Sequence, residues 1–386
     1  MRFETKAVHI GEENHLNKTG DVVMPIHLSS TFSRKTLEKV PGTFEYSRGL
    51  NPTRNGLEMK IASLDDGKYG YAFSSGLGAI NSLLMAVVKP GENIVASDDL
   101  YGGTIRLFNE ILSPNFNIKV KYVDARNTEN VRKAIDDRTK LVFIETPSNP
   151  LMHLVDIKGC SDIAKEKGVL LAVDNTFASP YFQKPLSLGA DVVVYSTTKY
   201  LNGHSDSIGG ATVMNNDDLA SKIYLIQRGA GNILSPFDSY LVMRGIKTLA
   251  VRMKASEANA MAVAKFLSEN KMIQNVNYPG LENFPQYKLA KKQMSGFSGI
   301  LSFTLNGDRE KVEKFVSNLE LFSLGVSLGG VESLVEVPAF MTHFELSDQE
   351  RKRRGISNNL IRLSVGIENV DDLIADIQKS LSNISV

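Results

Sequence analysis

The stretch from Asp191 to Asp206, DVVVYSTTKYLNGHSD, decides how the rest of the chain is read. Val192, Val193 and Val194 form a short β-branched run without polar alternation, the pattern of a strand buried on both faces of a parallel sheet. Ser196, Thr198 and Lys199 then stand at its carboxyl end, ahead of the break at Asn202-Gly203-His204. Open α/β sheets place their ligands at such ends. A lysine there, beside two hydroxyls and within apolar sequence, serves either as a phosphate contact or as a nucleophilic amine; a surface lysine after a strand is the plain alternative. The amine reading requires burial, because desolvation brings an ammonium closer to losing its proton at neutral pH.

Upstream of this strand the same kind of segment recurs. Ile94-Val95-Ala96, Ile118 to Val123, Leu141 to Ile144 and Val169 to Val173 read as strands, and Thr104 to Leu112, Glu129 to Ile135 and Ile157 to Lys167 read as helices. Their alternation predicts a doubly wound, mostly parallel α/β sheet. Polar residues follow three of the strands: Glu145 to Pro150, Asp174-Asn175-Thr176, and Ser196 to Lys199. A crevice at the carboxyl edge requires such a convergence. Further upstream, FSSGLGAINSLLMAVVKPG (73–91) places Leu77, Ile80, Leu83, Leu84, Val87 and Val88 at helical spacing behind Ser-Ser-Gly. The first turn of that helix offers free N–H groups and a partial positive charge to an anion. GLGAIN is neither a P-loop nor a complete dinucleotide fingerprint, so it specifies no nucleotide.

The two ends of the chain differ from this middle. Pro25, Pro41-Gly42, Gly49 and Asn51-Pro52 interrupt every candidate element up to about residue 60, so residues 1–60 read as an irregular arm lying across another surface, such as that of a partner subunit. Within it, Tyr46-Ser47-Arg48 and Asn51-Pro52-Thr53-Arg54 concentrate side chains able to hold a phosphate. After Ser235-Pro236 the segment Phe237 to Glu269 is helical, and beyond it strands at Gly299 to Leu305 and Leu360 to Val365 mix with helices at Asp308 to Asn318 and Val370 to Leu381. This is the pattern of a smaller α+β unit, with Ser327-Leu328-Gly329-Gly330 as a tight turn and Arg362 on a strand. The expected division is an arm (1–60), a large domain (61–245) and a C-terminal domain (246–386).

Composition removes several classes of function. With 44 Lys and Arg against 43 Asp and Glu, the 386 residues carry a formal charge of +1, and no net field draws the protein to nucleic acid or acidic lipid. The basic run Arg351-Lys352-Arg353-Arg354 follows Glu345, Asp348 and Glu350 and reads as a solvated helical face. The single Cys160 cannot form an internal disulfide, and no signal-peptide or membrane-length apolar run is present, so a cytoplasmic protein is expected. His9, His15, His27, His153, His204 and His343 show no ligand spacing, and no metal is expected. A chain of this size buries roughly 75% of its unfolded surface and needs no staples.

An acid ending VLLAVDN, a lysine after the next strand, an anion-binding helix start and the aromatic Tyr101 together match one cofactor. Pyridoxal 5′-phosphate needs an amine for its aldehyde, an acid facing its ring nitrogen, a cup for its phosphate and a ring to stack on. Asp174 is costly to bury in an apolar strand, and a pyridinium would compensate it.

The motifs YSRGLNPTRN, SSGLGAI, YGGT, ETPSNP, VDNTFASP, YSTTKYLNGHSD, SLGGVESL and LIRLSVGIE, spread from about Thr5 to Leu381, closely resemble those of the Cys/Met-metabolism family of pyridoxal-phosphate enzymes. That family has the aspartate-aminotransferase fold (fold type I) and includes cystathionine γ-lyase, cystathionine γ-synthase, methionine γ-lyase and the homoserine sulfhydrylases. The resemblance implies that Lys199 holds the cofactor covalently, Asp174 pairs with the ring nitrogen, and Tyr101 stacks on the ring and assists exchange of amines. It implies phosphate contacts from Gly76, Leu77, Ser196 and Thr198, with Tyr46 and Arg48 reaching in from a neighbouring subunit, and a further cofactor contact from Thr176. Arg362 with Asn149, Ser327 and Leu328 would hold the substrate carboxylate, a task that suits a guanidinium fork. A homotetramer built of dimers with shared active sites is implied as well.

For function, the resemblance implies a pyridoxal-phosphate C–S lyase that cleaves cystathionine by γ-elimination to cysteine, 2-oxobutanoate and ammonia. The distal pocket carries signals in two directions. Val326 stands where cystathionine-handling relatives commonly have an acid, as in methionine γ-lyases, whereas Gly103 resembles the cystathionine enzymes and Arg106 is suited to a distal carboxylate. Methanethiol release from methionine, γ-replacement on an acylated homoserine, and a catalytically silent scaffold are the alternatives.

Overall fold

A computed structural model of the chain describes residues 1–12, 20–38 and 43–384. The expected break at Pro41-Gly42 and the side chain of His15 lie outside the described residues. The most apolar runs have no face to offer water, so they pair side by side at the centre of one sheet. In chain order its strands are β1 (Tyr69–Phe73), β2 (Asn93–Ser97), β3 (Lys119–Val123), β4 (Thr139–Glu145), β5 (Leu170–Asp174), β6 (Val192–Ser196) and β7 (Gly210–Met214). They lie in the order β1-β7-β6-β5-β4-β2-β3, with β7 antiparallel to both of its neighbours and the other pairs parallel.

Side chains alternate between two packed layers. Val192 and Val194 meet Ile80, Leu83, Leu84 and Phe108 on one face. On the other, Val142, Ile144, Leu171 and Val173 meet Ile157, Cys160 and Ala164, and Val193 joins the neighbouring cluster that contains Leu57, Ile61 and Val213. Cys160 is thus a buried packing residue.

A second sheet forms in the C-terminal part from β8 (Ile273–Asn277), β9 (Ile300–Leu305), β10 (Ser323–Leu324), β11 (Leu334–Glu336) and β12 (Leu360–Ser364), in the order β10-β11-β12-β9-β8. Only β10 and β11 pair in parallel there. Helices Leu249–Glu269, Arg309–Asn318 and Val370–Asn383 supply Val263, Leu267, Phe315, Leu373 and Ile377 to its core. The expected α/β fold with a smaller α+β part is therefore observed.

Several local readings change. The first 60 residues are not irregular throughout: Phe3–His9 and Pro52–Leu64 are helices, and Ala7, Met24, Leu57 and Ile61 join the chain's own core. Asn51-Pro52, read as a breaker, is a helix start, because the Asn51 side chain accepts from the N–H groups of Thr53 and Arg54 and Pro52 occupies a first-turn position where no N–H is needed. Helix Thr104 to Leu112 is a short α-helix, Gly102–Arg106, continued by a wider turn over Leu107–Leu112. Phe237 to Glu269 is two helices, Pro236–Ile246 and Leu249–Glu269. Strands β1 and β7, not anticipated, close one edge of the sheet. The basic run is only partly solvated: Arg353 is open, but the side chains of Arg351 and Arg354 are 11% and 10% exposed, and Arg354 donates to Glu350. Among the described residues no helix is long and apolar enough to cross a membrane.

Gly210 opens β7 between Phe73 and Ser196, and a Cβ on it would land on the Ser75 carbonyl, just ahead of the helix Gly76–Val87. Gly210→Ala should therefore destabilise the protein by about 1–3 kcal/mol in urea unfolding. An unchanged midpoint would show that the start of this helix is not fixed by the strand beside it.

Candidate active site

Strands β4, β5 and β6 run in parallel and end in Glu145, Asp174 and Ser196, so three polar ends open on one side. Asp174 pairs with Val194, which puts the turn after Ser196 beside the carboxylate. That turn is held by its backbone: the N–H of Thr197 donates to the Gly209 carbonyl at 2.9 Å, and that of Gly203 donates to the Lys199 carbonyl at 2.8 Å. A cavity of about 250 Å³ lies over these ends. Its floor includes Asp174, Thr176, Ser196, Thr198 and Lys199, and its walls include Tyr101, Asn149 and Leu328. Gly76 and Leu77 line it from the first turn of their helix, which Ser75 caps by accepting from the Gly78 N–H. An added Cβ on Gly76 would press on Ser196, so the helix start approaches β6 as closely as a glycine allows.

The electrostatics of the cavity are set by desolvation. Lys199 donates through Nζ to Ser327 Oγ at 2.7 Å. Burial first, and the neighbouring Arg362 charge second, bring its amine down from the ordinary 10.5 to about 8, against the opposing pull of Glu336. The Asp174 carboxylate touches the cavity yet is densely surrounded by protein, and burial raises its pKa. It accepts from the Thr176 N–H at 3.0 Å and from Thr176 Oγ1 at 2.6 Å, bonds that favour the ionised form. Glu145 is pushed well above the usual carboxylate range, by burial and then by the Asp174 charge, and its Oε2 accepts from the Tyr101 N–H at 2.8 Å.

A second cluster comes from the C-terminal sheet. Arg362 on β12 lies across from Glu336 on β11, and their side chains meet at 2.9 Å. Arg362 also donates to Asn149 Oδ1 at 2.9 Å and to the Ser327 carbonyl at 2.6 Å. Its Nε is buried and has no partner among the described residues, an uncommon state for a buried donor that a bound carboxylate would relieve. Ser327 takes φ 111°, a left-handed value. That turn points its hydroxyl to Lys199 and its carbonyl to Arg362.

Most of the sequence-predicted residues thus meet. Gly76, Leu77, Tyr101, Asn149, Asp174, Thr176, Ser196, Thr198, Lys199 and Leu328 line one cavity, and Ser327 and Arg362 join through hydrogen bonds. Tyr46, Arg48, Val326, Arg106 and Arg54 do not line it. Arg48 lies over the Tyr46 ring at 5.5 Å and donates to the Arg228 carbonyl, away from this chain's own cavity. Val326 is 62% exposed at the rim. Arg106 is paired with Glu345 Oε2, at 3.1 Å through Nε and 2.5 Å through Nη2. Arg54, grouped above with the phosphate-capable residues, is instead buried and clamps the loop before it, donating to the carbonyls of Ser47 and Gly49. Sequence reasoning missed Ser75, Thr104, Phe177, Ile208, Glu336 and the role of Glu145. Glu336 had a signal: an acid inside the apolar run LVEV needs a cation once buried.

Residues 4–382 match the model of a family described as Cys/Met metabolism PLP-dependent enzyme. The chain belongs to this family. The chain is 46% identical over 384 residues to cystathionine gamma-lyase of Bacillus subtilis, covering all of both chains. It is 48% identical over 379 residues to cystathionine beta-lyase of Lactococcus lactis, covering 98% of each. The crystal structure of cystathionine gamma-lyase from Lactobacillus plantarum complexed with L-serine superposes with a TM-score of 0.95 at 41% identity, covering 100% of this chain and 99% of that one. As a Cys/Met-metabolism enzyme the protein uses pyridoxal 5′-phosphate. The cavity fits it: the Asp174 carboxylate is held by Thr176 alone among the described residues and suits a pyridinium, the Lys199 amine is partly desolvated, and the helix start at Gly76 suits a phosphate.

The Lys199 amine sets a pH window. In the cofactor-free protein the rate of covalent capture of pyridoxal 5′-phosphate, followed by absorbance, should rise with pH through a midpoint near 8 and then level off. Between about 8 and 10.5 the unfolded chain binds the extra proton, so stability of the cofactor-free protein should rise with pH across the same window. A capture midpoint at 10.5 would mean an amine in full contact with water.

Proposed function

We infer that this enzyme is a pyridoxal-phosphate-dependent C–S lyase that cleaves cystathionine by γ-elimination, with water taken up and cysteine, 2-oxobutanoate and ammonia released. One observation carries the chemistry: a single turn residue, Ser327, accepts from the candidate base Lys199 and, through its carbonyl, from the candidate carboxylate anchor Arg362. The base and the anchor for the reacting carbon are thus held by one residue. The relatives named cystathionine gamma-lyase, similar over their full length, support the choice of substrate.

Each residue has a distinct task in this reading. When bound, the cofactor would supply a conjugated ring able to take up the electron pairs left as Cα and Cβ lose their protons. Asp174 keeps the far side of that ring protonated, and its buried position makes the pairing strong. Gly76, Leu77, Ser196 and Thr198 hold the phosphate, and Thr176 orients Asp174. Arg362 binds the substrate carboxylate through the unpartnered Nε, with Asn149, Ser327 and Leu328 completing the subsite. Lys199, near neutral pH already a weak acid when protonated, removes the Cα proton and carries protons to and from the carbon chain. Tyr101 stacks on the ring, its N–H fixed by Glu145, and its phenol helps the incoming amine lose a proton.

The same reading extends to assembly and place. Tyr46 and Arg48, turned away from their own cavity, complete the phosphate cup of a neighbouring subunit, in a homotetramer of dimers that share active sites. The exposed Ile208, at the cavity mouth, is suited to such a contact. The division into arm (1–60), large domain (61–245) and C-terminal domain (246–386) belongs to this proposal, as does a cytoplasmic location, for which the free, buried Cys160 speaks.

Two observations favour neighbouring reactions. A relative named cystathionine beta-lyase brings in cleavage on the other side of sulfur, giving homocysteine and pyruvate. Val326, uncharged at the rim, favours methionine. Steady-state rates should show kcat/KM highest on cystathionine, below it on methionine and on an O-acylhomoserine with cysteine, with 2-oxobutanoate as the keto acid formed. Pyruvate alone would assign the β-cut, and negligible turnover of cystathionine would overturn the reading. Val326→Glu should raise the cystathionine-to-methionine ratio of kcat/KM by about fivefold, the effect of one rim charge. An unchanged ratio would exclude the rim position from substrate choice.

A further inference from the structure

The helix that begins at the cavity residue Tyr101 ends in an ion pair that the reaction itself does not use. Arg106 ends the short helix Gly102–Arg106, whose Thr104 lines the cavity and whose start is Tyr101. Its partner Glu345 lies on a segment anchored beside the carboxylate subsite: Thr342 donates to Glu336 Oε1 at 3.0 Å, and the Thr342 carbonyl packs against Gly102. The acids deeper in the cavity are committed, Glu145 to the Tyr101 N–H, Asp174 to Thr176 and Glu336 to Arg362. Arg106 and Glu345 have side chains 48% and 64% exposed and are open to an incoming ligand.

We propose that Arg106 and Glu345 act together as a receptor for a distal α-amino-acid head, Arg106 taking its carboxylate and Glu345 its ammonium, which makes Glu345 a specificity-determining residue. The proposal rests on the cystathionine reading and deepens it. The Arg106–Glu345 pair is neutral overall, so it draws an isolated anion more weakly than a lone guanidinium, and a distal carboxylate alone must displace Glu345 from Arg106. A zwitterionic head satisfies both members at once, exchanging one ion pair for two. A methyl group gains nothing from either. The pair therefore supplies the negative charge that Val326 lacks and selects a zwitterion over an acid or a neutral side chain.

Glu345→Gln tests this, because it removes the charge and keeps the size at an exposed position. On cystathionine the KM should rise about fivefold with kcat little changed. On O-succinylhomoserine with cysteine, which has a distal carboxylate and no distal ammonium, the KM should fall as Arg106 is released. On methionine, which has no distal charge, kcat/KM should stay within twofold. A shift shared by all three substrates, or an unchanged KM for cystathionine in an enzyme that cleaves it, overturns the proposal. If the wild-type enzyme fails to cleave cystathionine, the parent reading falls separately. Calorimetric affinity of the intact holoenzyme for cystathionine then decides the receptor: an approximately fivefold loss in Glu345→Gln supports it and equal affinity refutes it.

Discussion

A buried amine and a buried carboxylate, brought to neighbouring strand ends by a parallel sheet, set the demand that the rest of this molecule meets. Lys199 has a hydroxyl for company and Asp174 a threonine; among the described residues neither has an opposite charge in contact. Each would be cheaper in water. A sheet of parallel strands forces all its carboxyl ends to one edge, so the two groups share a cavity because their strands, β5 and β6, are neighbours in register. A cationic ring with an aldehyde on it satisfies both groups at once. The same desolvation that makes the site costly holds the amine near neutrality and thereby makes it reactive.

The C-terminal sheet contributes through a different constraint. Arg362 and Glu336 face each other across β11 and β12 and are both buried, so the guanidinium is fixed before a substrate arrives. Glu336 neutralises part of its charge, and Asn149, from the large sheet, takes another of its donors. Ser327 joins the two halves, since its hydroxyl meets Lys199 and its carbonyl meets Arg362. A side chain that moved this turn would move Lys199 and Arg362 together. Arg362 in turn lowers the proton affinity of Lys199, which ties the electrostatics of one sheet to the chemistry of the other.

Glu145 and Arg362 are buried and Lys199 and Asp174 partly so, where packing allows little change, whereas Val326, Arg106 and Glu345 lie in contact with solvent and can vary without disturbing the core. In the proposed reading the reactive centre would fix which carbons lose protons, and the exposed charges would select which sulfur compound stays long enough to react.

What could be read without coordinates were features carried by local pattern. The β-branched run ending in Lys199, the acid ending VLLAVDN and the Ser-Gly start of the 76–87 helix each identify themselves, because strand burial, desolvation and helix capping act within a few residues. Asn51-Pro52 was misread because a cap and a breaker use the same residues, and only the donors of Thr53 and Arg54 tell them apart. Strands β1 and β7 escaped because YGYAF and GATVM are short and glycine-bearing, and they exist as an antiparallel edge only once each has the other. The pairing of Glu336 with Arg362, the shared role of Ser327 and the capture of Arg106 by Glu345 join residues 26, 35 and 239 positions apart. The sequence by itself determined which groups must be buried and which must end a strand; only the tertiary structure decided which of them meet, because charge and hydrogen bonding act through space and the chain brings distant residues into range only by folding.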